Sequence, residues 1–161
     1  MMPSLSPRIE VKIIDPRLNN WGLPNYQSAM AAAIDLYACI DQPLSLKAGD
    51  PAQLISAGIA IHMANPYMVA LIAPRSGSGH KKGLVLGNSV GVIDADYSGT
   101  IFISAWNRSA PGTDPIVIEP GERIAQMIFV PILRPVFDTV ENFSTDSERG
   151  AGGFGSTGAK R

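Results

Sequence analysis

Cysteine is almost missing from this sequence. Its single copy, Cys39, excludes an internal disulfide and fits a reducing, cytoplasmic setting. Cys39 follows Leu36-Tyr37-Ala38 in a strand-like run, where a small buried hydrophobe is the expected role and a nucleophile is not. Histidine is nearly as scarce: His62 and His80 have no cysteine to join them, which argues against a zinc site. No apolar run approaches the roughly 18 residues needed to cross a bilayer, so no membrane association is expected. Met1 to Pro7 lack the basic start and apolar stretch of a secretory signal. A long basic block is missing too. Lys and Arg number 13 against 14 Asp and Glu, a net charge of −1, so stable nucleic-acid binding is not expected. Local positive charge remains available at Arg75, at His80-Lys81-Lys82, at Arg123 and at Arg149, although each alone reads as a solvated surface charge.

What is present is enough for one folded domain. The chain has 161 residues, of which 45% are hydrophobic and 17% charged, so a sizeable core can form. Pro and Gly interrupt it too often for several long helices. Ile9 to Ile14 sets Val11 and Ile13 against Glu10 and Lys12, the period of a half-buried strand. Ala52 to Met63 is β-rich around Ile55, Ile59 and Ile61, and Tyr67 to Ala73 reads as a strand buried on both faces that stops at Pro74. Thr100 to Asn107 puts Ile101, Ile103 and Ala105 on one face and Phe102, Ser104 and Trp106 on the other. Pro120-Gly121 and Pro131 frame Arg123 to Val130 as a further short strand. The pattern predicts an all-β sandwich or barrel with at most one short helix, after Pro74 and through Lys82. Residues 1–143 read as one β-domain. Residues 144–161, poor in apolar side chains and rich in glycine, read as a flexible arm in which Phe154 is the one aromatic, placed to close over something.

Several familiar patterns fail. Gly153-Phe154-Gly155-Ser156-Thr157-Gly158 fits the dinucleotide fingerprint, but only Ala159, Lys160 and Arg161 follow, too few for the helix it requires. No Gly-Lys-Ser/Thr occurs. Asp94-Ala95-Asp96-Tyr97-Ser98-Gly99 begins like a calcium loop, yet the twelfth position is Ala105 where a bidentate Glu belongs.

Five glycine-associated polar islands remain. They are Ala32-Ala33-Ile34-Asp35-Leu36, Pro74 to Gly79, Gly87 to Gly99, Gly121 to Gln126 and Arg149 to Gly158. Each alone has a plain structural reading. Asp35 can be a paired core carboxylate, Asp94 and Asp96 turn formers, Gln126 a partner for a strand-edge backbone group, and Phe154 a packed ring. In the third island, two strands joined by a turn would bring Asn88, Asp94 and Tyr97 to one mouth. Together the islands supply what triphosphate hydrolysis needs: cationic donors, a carboxylate to take a proton from water, and an aromatic lid against solvent.

In order and in detail the islands resemble the five motifs of the trimeric dUTPase family, over nearly the whole chain from Val11-Lys12-Ile13 to Gly158. The resemblance implies a jelly-roll-like fold, and hydrolysis of dUTP to dUMP and pyrophosphate, which limits uracil in DNA and supplies dUMP for thymidylate synthesis. It also implies magnesium as cofactor and a homotrimer whose active sites are each shared by all three chains. Asp94 takes the place of the general base and Asp35 that of the carboxylate holding magnesium through its water shell. Arg75, Ser76, Gly77 and Gln126 resemble the phosphate-side residues. Arg149, Gly155, Ser156 and Thr157 resemble the arm's triphosphate contacts, and Phe154 the ring that stacks on uracil. Asn88 and the backbone around Val92 and Ile93 would read the uracil edge, with Gly87 and Gly91 allowing close approach. Tyr97 would pack on the sugar, and Phe102 would line the same pocket or simply the core. One departure is Ala33, where the family commonly has glycine. A deaminase of dCTP on the same fold and a catalytically silent nucleotide-binding regulator are the competing readings.

Overall fold

The computed structural model describes residues 6–145, 147 and 150. Ten strands and two short helices occur among them. In chain order they are β1 (Glu10–Ile13), α1 (Leu18–Trp21), β2 (Ile34–Tyr37), β3 (Leu44–Leu46), β4 (Gln53–His62) and β5 (Met68–Pro74). Then follow α2 (Ser78–Lys82, a single π-type turn), β6 (Leu84–Leu86), β7 (Gly91–Ile93), β8 (Thr100–Asn107), β9 (Ile116–Ile118) and β10 (Arg123–Pro131). One four-stranded sheet has the order β1-β4-β8-β6, a second the order β2-β10-β5-β7, and β3 pairs with β9. Every pairing is antiparallel. The architecture is jelly-roll-like and all-β, as expected.

Side-chain alternation builds the core between the two large sheets. On β8, Ile101, Ile103 and Ala105 are buried, while Phe102 and Trp106 face outward. Ile55 and Ile59 of β4 join them from the same sheet; Leu36, Ile72, Ile124 and Met127 come from the other. Each such side chain contributes about 1.5–3 kcal/mol on full burial. Cys39 lies in this core as a free thiol, and burial pushes its pKa up to about 11.

Three expectations need amending. A second helix, α1, precedes β2; its four residues are too short to print a helical period on the sequence. β5 stops at Pro74 as expected, but Pro74 is itself the last rung, opposite Ala125, one residue beyond the expected end at Ala73. β1 is exposed at all four residues because it lies on a sheet edge against β4 alone.

Between Ser56 and Ala60 the β4–β8 register shifts, and Gly58 sits there with φ of +73°. A Cβ on Gly58 would lie 2.5 Å from Cys39 Sγ, so only glycine fits. The freed Gly58 carbonyl accepts from the backbone N–H groups of Ile14 (2.8 Å) and Asp15 (3.0 Å), which docks the end of β1. Next to it, Arg17 grips the Asp15 carboxylate through Nε and Nη2 and donates from Nη1 to the Ile40 carbonyl at 2.6 Å. That guanidinium holds the Asp15 carboxyl below its usual range, and lies 5.4 Å from the Trp21 ring centroid.

Candidate active site

The second sheet carries the candidate site at the end where β5 gives way to α2. Asp35 is opposite Gln126, and Gln126 opposite Ala73, so β2, β10 and β5 stand in one register across the sheet. Asp35 is buried, 8% exposed, which a lone carboxylate would not tolerate. Two arginines compensate it: Arg75 Nε donates to Oδ1 at 2.8 Å, and Arg123 Nη1 to Oδ2 at 3.2 Å. Arg75 comes from the residue after β5. Arg123 opens β10, where a register shift before Ala125 re-aims its side chain. Arg75 Nη1 also donates to the Arg123 carbonyl at 3.2 Å, tying the two cations into one unit.

A cleft of about 780 Å³ opens over this cluster. Arg75, Ser76, Gly77, Gln126 and Asp35, all read from sequence as site residues, line it. Lys81, Lys82 and Arg123 line it as well, so four cations face one carboxylate and the cleft favours a polyanion. Lys82 also pairs with Glu122 at 3.5 Å. The plain readings of Asp35 and Gln126 hold. Asp35 is a paired carboxylate, and Gln126 Nε2 donates to the Pro74 carbonyl at 2.8 Å.

The α2 turn that presents Ser76 and Gly77 is braced from β8's end. Arg108 Nε and Nη2 donate to the Gly79 carbonyl at 3.3 and 3.2 Å, and Gly79 N–H donates to the Arg75 carbonyl at 2.8 Å. Arg108 and Gln27, another cleft residue, carry no sequence signal: neither lies in a glycine-associated island. Lys81 and Lys82 are visible in sequence only as candidate local charge, whereas Arg123 also lies in the fourth island.

Asp94 stands elsewhere. β7 pairs with β5 so that Ile93 faces Ala70 and Gly91 faces Ile72. Asp94 thus continues toward the beginning of β5, while Arg75 follows its end; six residues of strand separate these levels, about 20 Å. Asp94 is exposed, and its carbonyl accepts from Tyr97 N–H at 3.1 Å across a turn. Tyr97 Oη donates to the Thr100 carbonyl at 2.9 Å, and its ring covers Gly99, where a Cβ would come within 2.6 Å of Oη. Val92 and Phe102 are exposed, at 59% and 48%. Asn88 is exposed in the turn after β6, which Ser89 completes with φ of +64°.

The third island holds one strand, β7, joined to β6 by the turn through Asn88. Among the described residues these two do not pair with each other, since β6 joins β8 and β7 joins β5, the turn carrying the chain from one sheet to the other. Asn88 and Asp94 therefore flank β7 on opposite sides. Gly87 and Gly91 are close-approach glycines within the chain itself. A Cβ at 87 would lie 2.5 Å from Ala52 Cβ, and one at 91 would lie 3.0 Å from Ile72 Cβ. The assignments to Arg149, Phe154, Gly155, Ser156 and Thr157 lie outside the described residues.

For magnesium the donor set is lean. No group of three or more His, Cys, Asp or Glu converges among the described residues. Asp35 nevertheless fits a magnesium ion held through water. Each carboxylate oxygen accepts one arginine hydrogen bond and keeps a second lone pair, and magnesium commonly takes one or two carboxylates plus substrate phosphates. Among the described residues, no helix is long and apolar enough to cross a membrane.

Comparison with known proteins agrees with this chemistry. The dUTPase family profile matches residues 19–158. The deoxyuridine 5'-triphosphate nucleotidohydrolase of Azoarcus sp. (strain BH72) is 53% identical over 151 residues, covering 94% of this chain and 97% of that protein. That of Burkholderia multivorans is 52% identical, covering 94% and 98%. Among solved structures, the dUTPase of Staphylococcus bacteriophage 80alpha with dUpNHpp superposes with a TM-score of 0.79 at 26% identity, covering 95% of this chain and 99% of that one. The Streptococcus mutans dUTPase gives 0.64 at 32% identity, covering 80% and 98%. The fold is thus that of a jelly-roll-like hydrolase. The chain belongs to the dUTPase family and is an enzyme of that class, a dUTP diphosphatase.

Proposed function

We propose that this enzyme cleaves dUTP between the α- and β-phosphates, giving dUMP and pyrophosphate, and so limits uracil incorporation into DNA while supplying dUMP for thymidylate synthesis. The observation that carries the proposal is the Asp35 carboxylate clamped by Arg75 and Arg123 on the floor of a cationic cleft. A triphosphate is the ligand that such a cleft favours, and the bacteriophage relative was solved with dUpNHpp.

In this reading, Arg75, Ser76, Gly77 and Gln126 hold the phosphate oxygens, and Asp35 would hold a magnesium ion through water. The metal's contribution is to neutralise charge building up on the phosphates. Asp94 takes a proton from a water molecule as that water attacks the α-phosphorus. The bond from that phosphorus to the bridging oxygen breaks, and pyrophosphate leaves. Asn88 with the Val92 and Ile93 backbone reads the uracil edge, Tyr97 rests against the sugar, and Phe102 lines the pocket. From the arm of residues 144–161, Phe154 stacks on the base while Arg149, Gly155, Ser156 and Thr157 reach the triphosphate.

About 20 Å of strand between the levels of Asp94 and Arg75 is too far for one chain to bring both to a single α-phosphorus. That distance supports a homotrimer in which each site takes its base from one chain and its phosphate-side residues from another, with the arm supplied by the third. A net charge of −1 and the single buried thiol support a cytoplasmic enzyme that does not bind nucleic acid stably. The test is pyrophosphate release from dUTP, dCTP, dTTP and UTP, with ammonia measured for dCTP. Strong preference for dUTP without ammonia is expected. Equal rates on all four, or ammonia from dCTP, defeats the proposal.

A further inference from the structure

One wall of the phosphate cleft is tied to its charged floor by a side-chain amide. Tyr26 pairs with Ile34 in an isolated antiparallel bridge, which closes residues 27–33 into a loop. Ala31, Ala32 and Ala33 of that loop line the cleft, yet Ala29-Met30-Ala31-Ala32-Ala33 offers no polar side chain with which to grip a charged floor. Gln27 does so instead. Its Oε1 accepts from Arg123 Nη1 at 3.0 Å, and its Nε2 donates to Asn25 Oδ1 at 2.7 Å. A guanidinium only donates, so the amide oxygen must face Arg123.

The same Arg123 Nη1 reaches Asp35 Oδ2 at 3.2 Å, and the Arg123 carbonyl accepts from Arg75. Arg123 is therefore held from two sides, by a buried carboxylate on β2 and by an exposed amide on the loop. The choice of amide has a physical consequence. A carboxylate at position 27 would reach Arg123 equally well but would add a second negative charge beside Asp35, cancelling cationic field where phosphate must bind. The amide oxygen orients the guanidinium and leaves its charge uncompensated. Loss of the contact would free a long side chain to leave Asp35 and would release the loop that walls the cleft.

We infer that Gln27 is a positioning residue for the phosphate side of the site: it fixes Arg123 against Asp35 and moors loop 27–33, so that it sets polyphosphate affinity and not the chemical step. This rests on the reading that substrate phosphates occupy the cleft. In the full-length protein, the affinity for inorganic pyrophosphate is measured by calorimetry with magnesium present, beside KM and kcat for dUTP. Gln27→Ala is expected to weaken pyrophosphate binding and raise KM each about fivefold, the net scale of one ordinary exposed hydrogen bond, with kcat within about twofold of the original. Gln27→Glu, which keeps the size and the acceptor, is expected to weaken binding about tenfold, with the deficit shrinking as salt is added. Melting temperatures should match the parent, because Gln27 is exposed.

Unchanged pyrophosphate affinity and KM in both variants would overturn the inference, as would a fall in kcat at constant KM. Should the parent fail to turn over dUTP while the affinity order of parent, alanine and glutamate variants persists, the substrate reading fails and the role of Gln27 stands. Should dUTP be turned over and that order be absent, Gln27 alone is refuted.

Discussion

Arg75 and Asp35 are forty residues apart in the chain and meet at 2.8 Å, Nε to Oδ1. That contact, completed by Arg123, lets a carboxylate sit buried at the base of a cleft made for anions. It also sets the first prediction. Asp35→Asn puts an NH₂ group against a guanidinium and removes the charge proposed to orient metal-bound water. Groups that hold a metal's outer shell typically matter by 10–100-fold in metal affinity. The magnesium concentration giving half-maximal rate should rise by about that factor, read from initial rates across a magnesium titration. An unshifted midpoint would remove Asp35 from the metal side.

Asp94 and Arg75 supply a test of site sharing. Asp94→Asn should lower kcat by about 10²–10⁴-fold, the usual cost of losing a general base, with little change in melting temperature because the residue is exposed. Arg75→Ala should be nearly inactive through loss of phosphate binding and of the Asp35 pair. When the two variants are unfolded and refolded together, activity should return, because mixed trimers of the proposed kind would contain sites with both residues intact. Mixing without recovery would show that each chain builds its own site.

Cys39 should behave as core. Its thiol is pushed up to about 11 by burial, so at pH 8 it stays protonated and shielded. Alkylation by iodoacetamide should be slow in the native protein and should accelerate in step with global unfolding in denaturant. In linkage terms, a pKa raised above the unfolded 9.0 favours the fold below that pH, and this contribution is lost as pH rises from about 9 to about 11. Rapid native-state labelling would place the thiol in an opening segment.

The Asp15–Arg17 pair makes an acid-side prediction. Asp15 is held below its ordinary 3.8 chiefly by its hydrogen bond from Arg17. Its contribution to stability is therefore full above the unfolded value and is lost as pH falls through the folded one. Asp15→Asn should flatten the acid limb of stability below about pH 4, by about 0–1 kcal/mol as for a solvent-screened pair. Denaturant midpoints at pH 7 and pH 3 would measure it. An unchanged difference between the two pH values in the variant would assign the acid limb to other carboxylates.

The strands were legible wherever one face of a sheet is buried and the other wet. The opposed faces of β8, with Ile103 inside and Trp106 outside, follow directly from alternation. β1 alternates as well, yet Val11 remains 46% exposed, because alternation reports a two-faced strand and not the presence of a neighbour to cover it. At the site, Arg75, Ser76, Gly77 and Gln126 were marked by turn chemistry beside strands and do converge with Asp35. The Asp35–Arg123 pair spans 88 residues and is created by sheet register and a bulge, neither of which a linear pattern encodes. Gln27 was invisible for a related reason: its partner is 96 residues away, and it stands between Tyr26 and Ser28, outside any glycine-associated island. That β6 and β7, joined by one turn, enter different sheets is a choice made by packing across the core.

Gly99 and the ring of Tyr97 occupy the same small volume, since even a methyl group on residue 99 would meet Cζ at 2.8 Å. Mutational drift at these two sites is consequently not independent. A lineage that retains the phenol must keep its companion bare, whereas one that gives up the ring is released to vary both, so covariation across descendants would record the constraint.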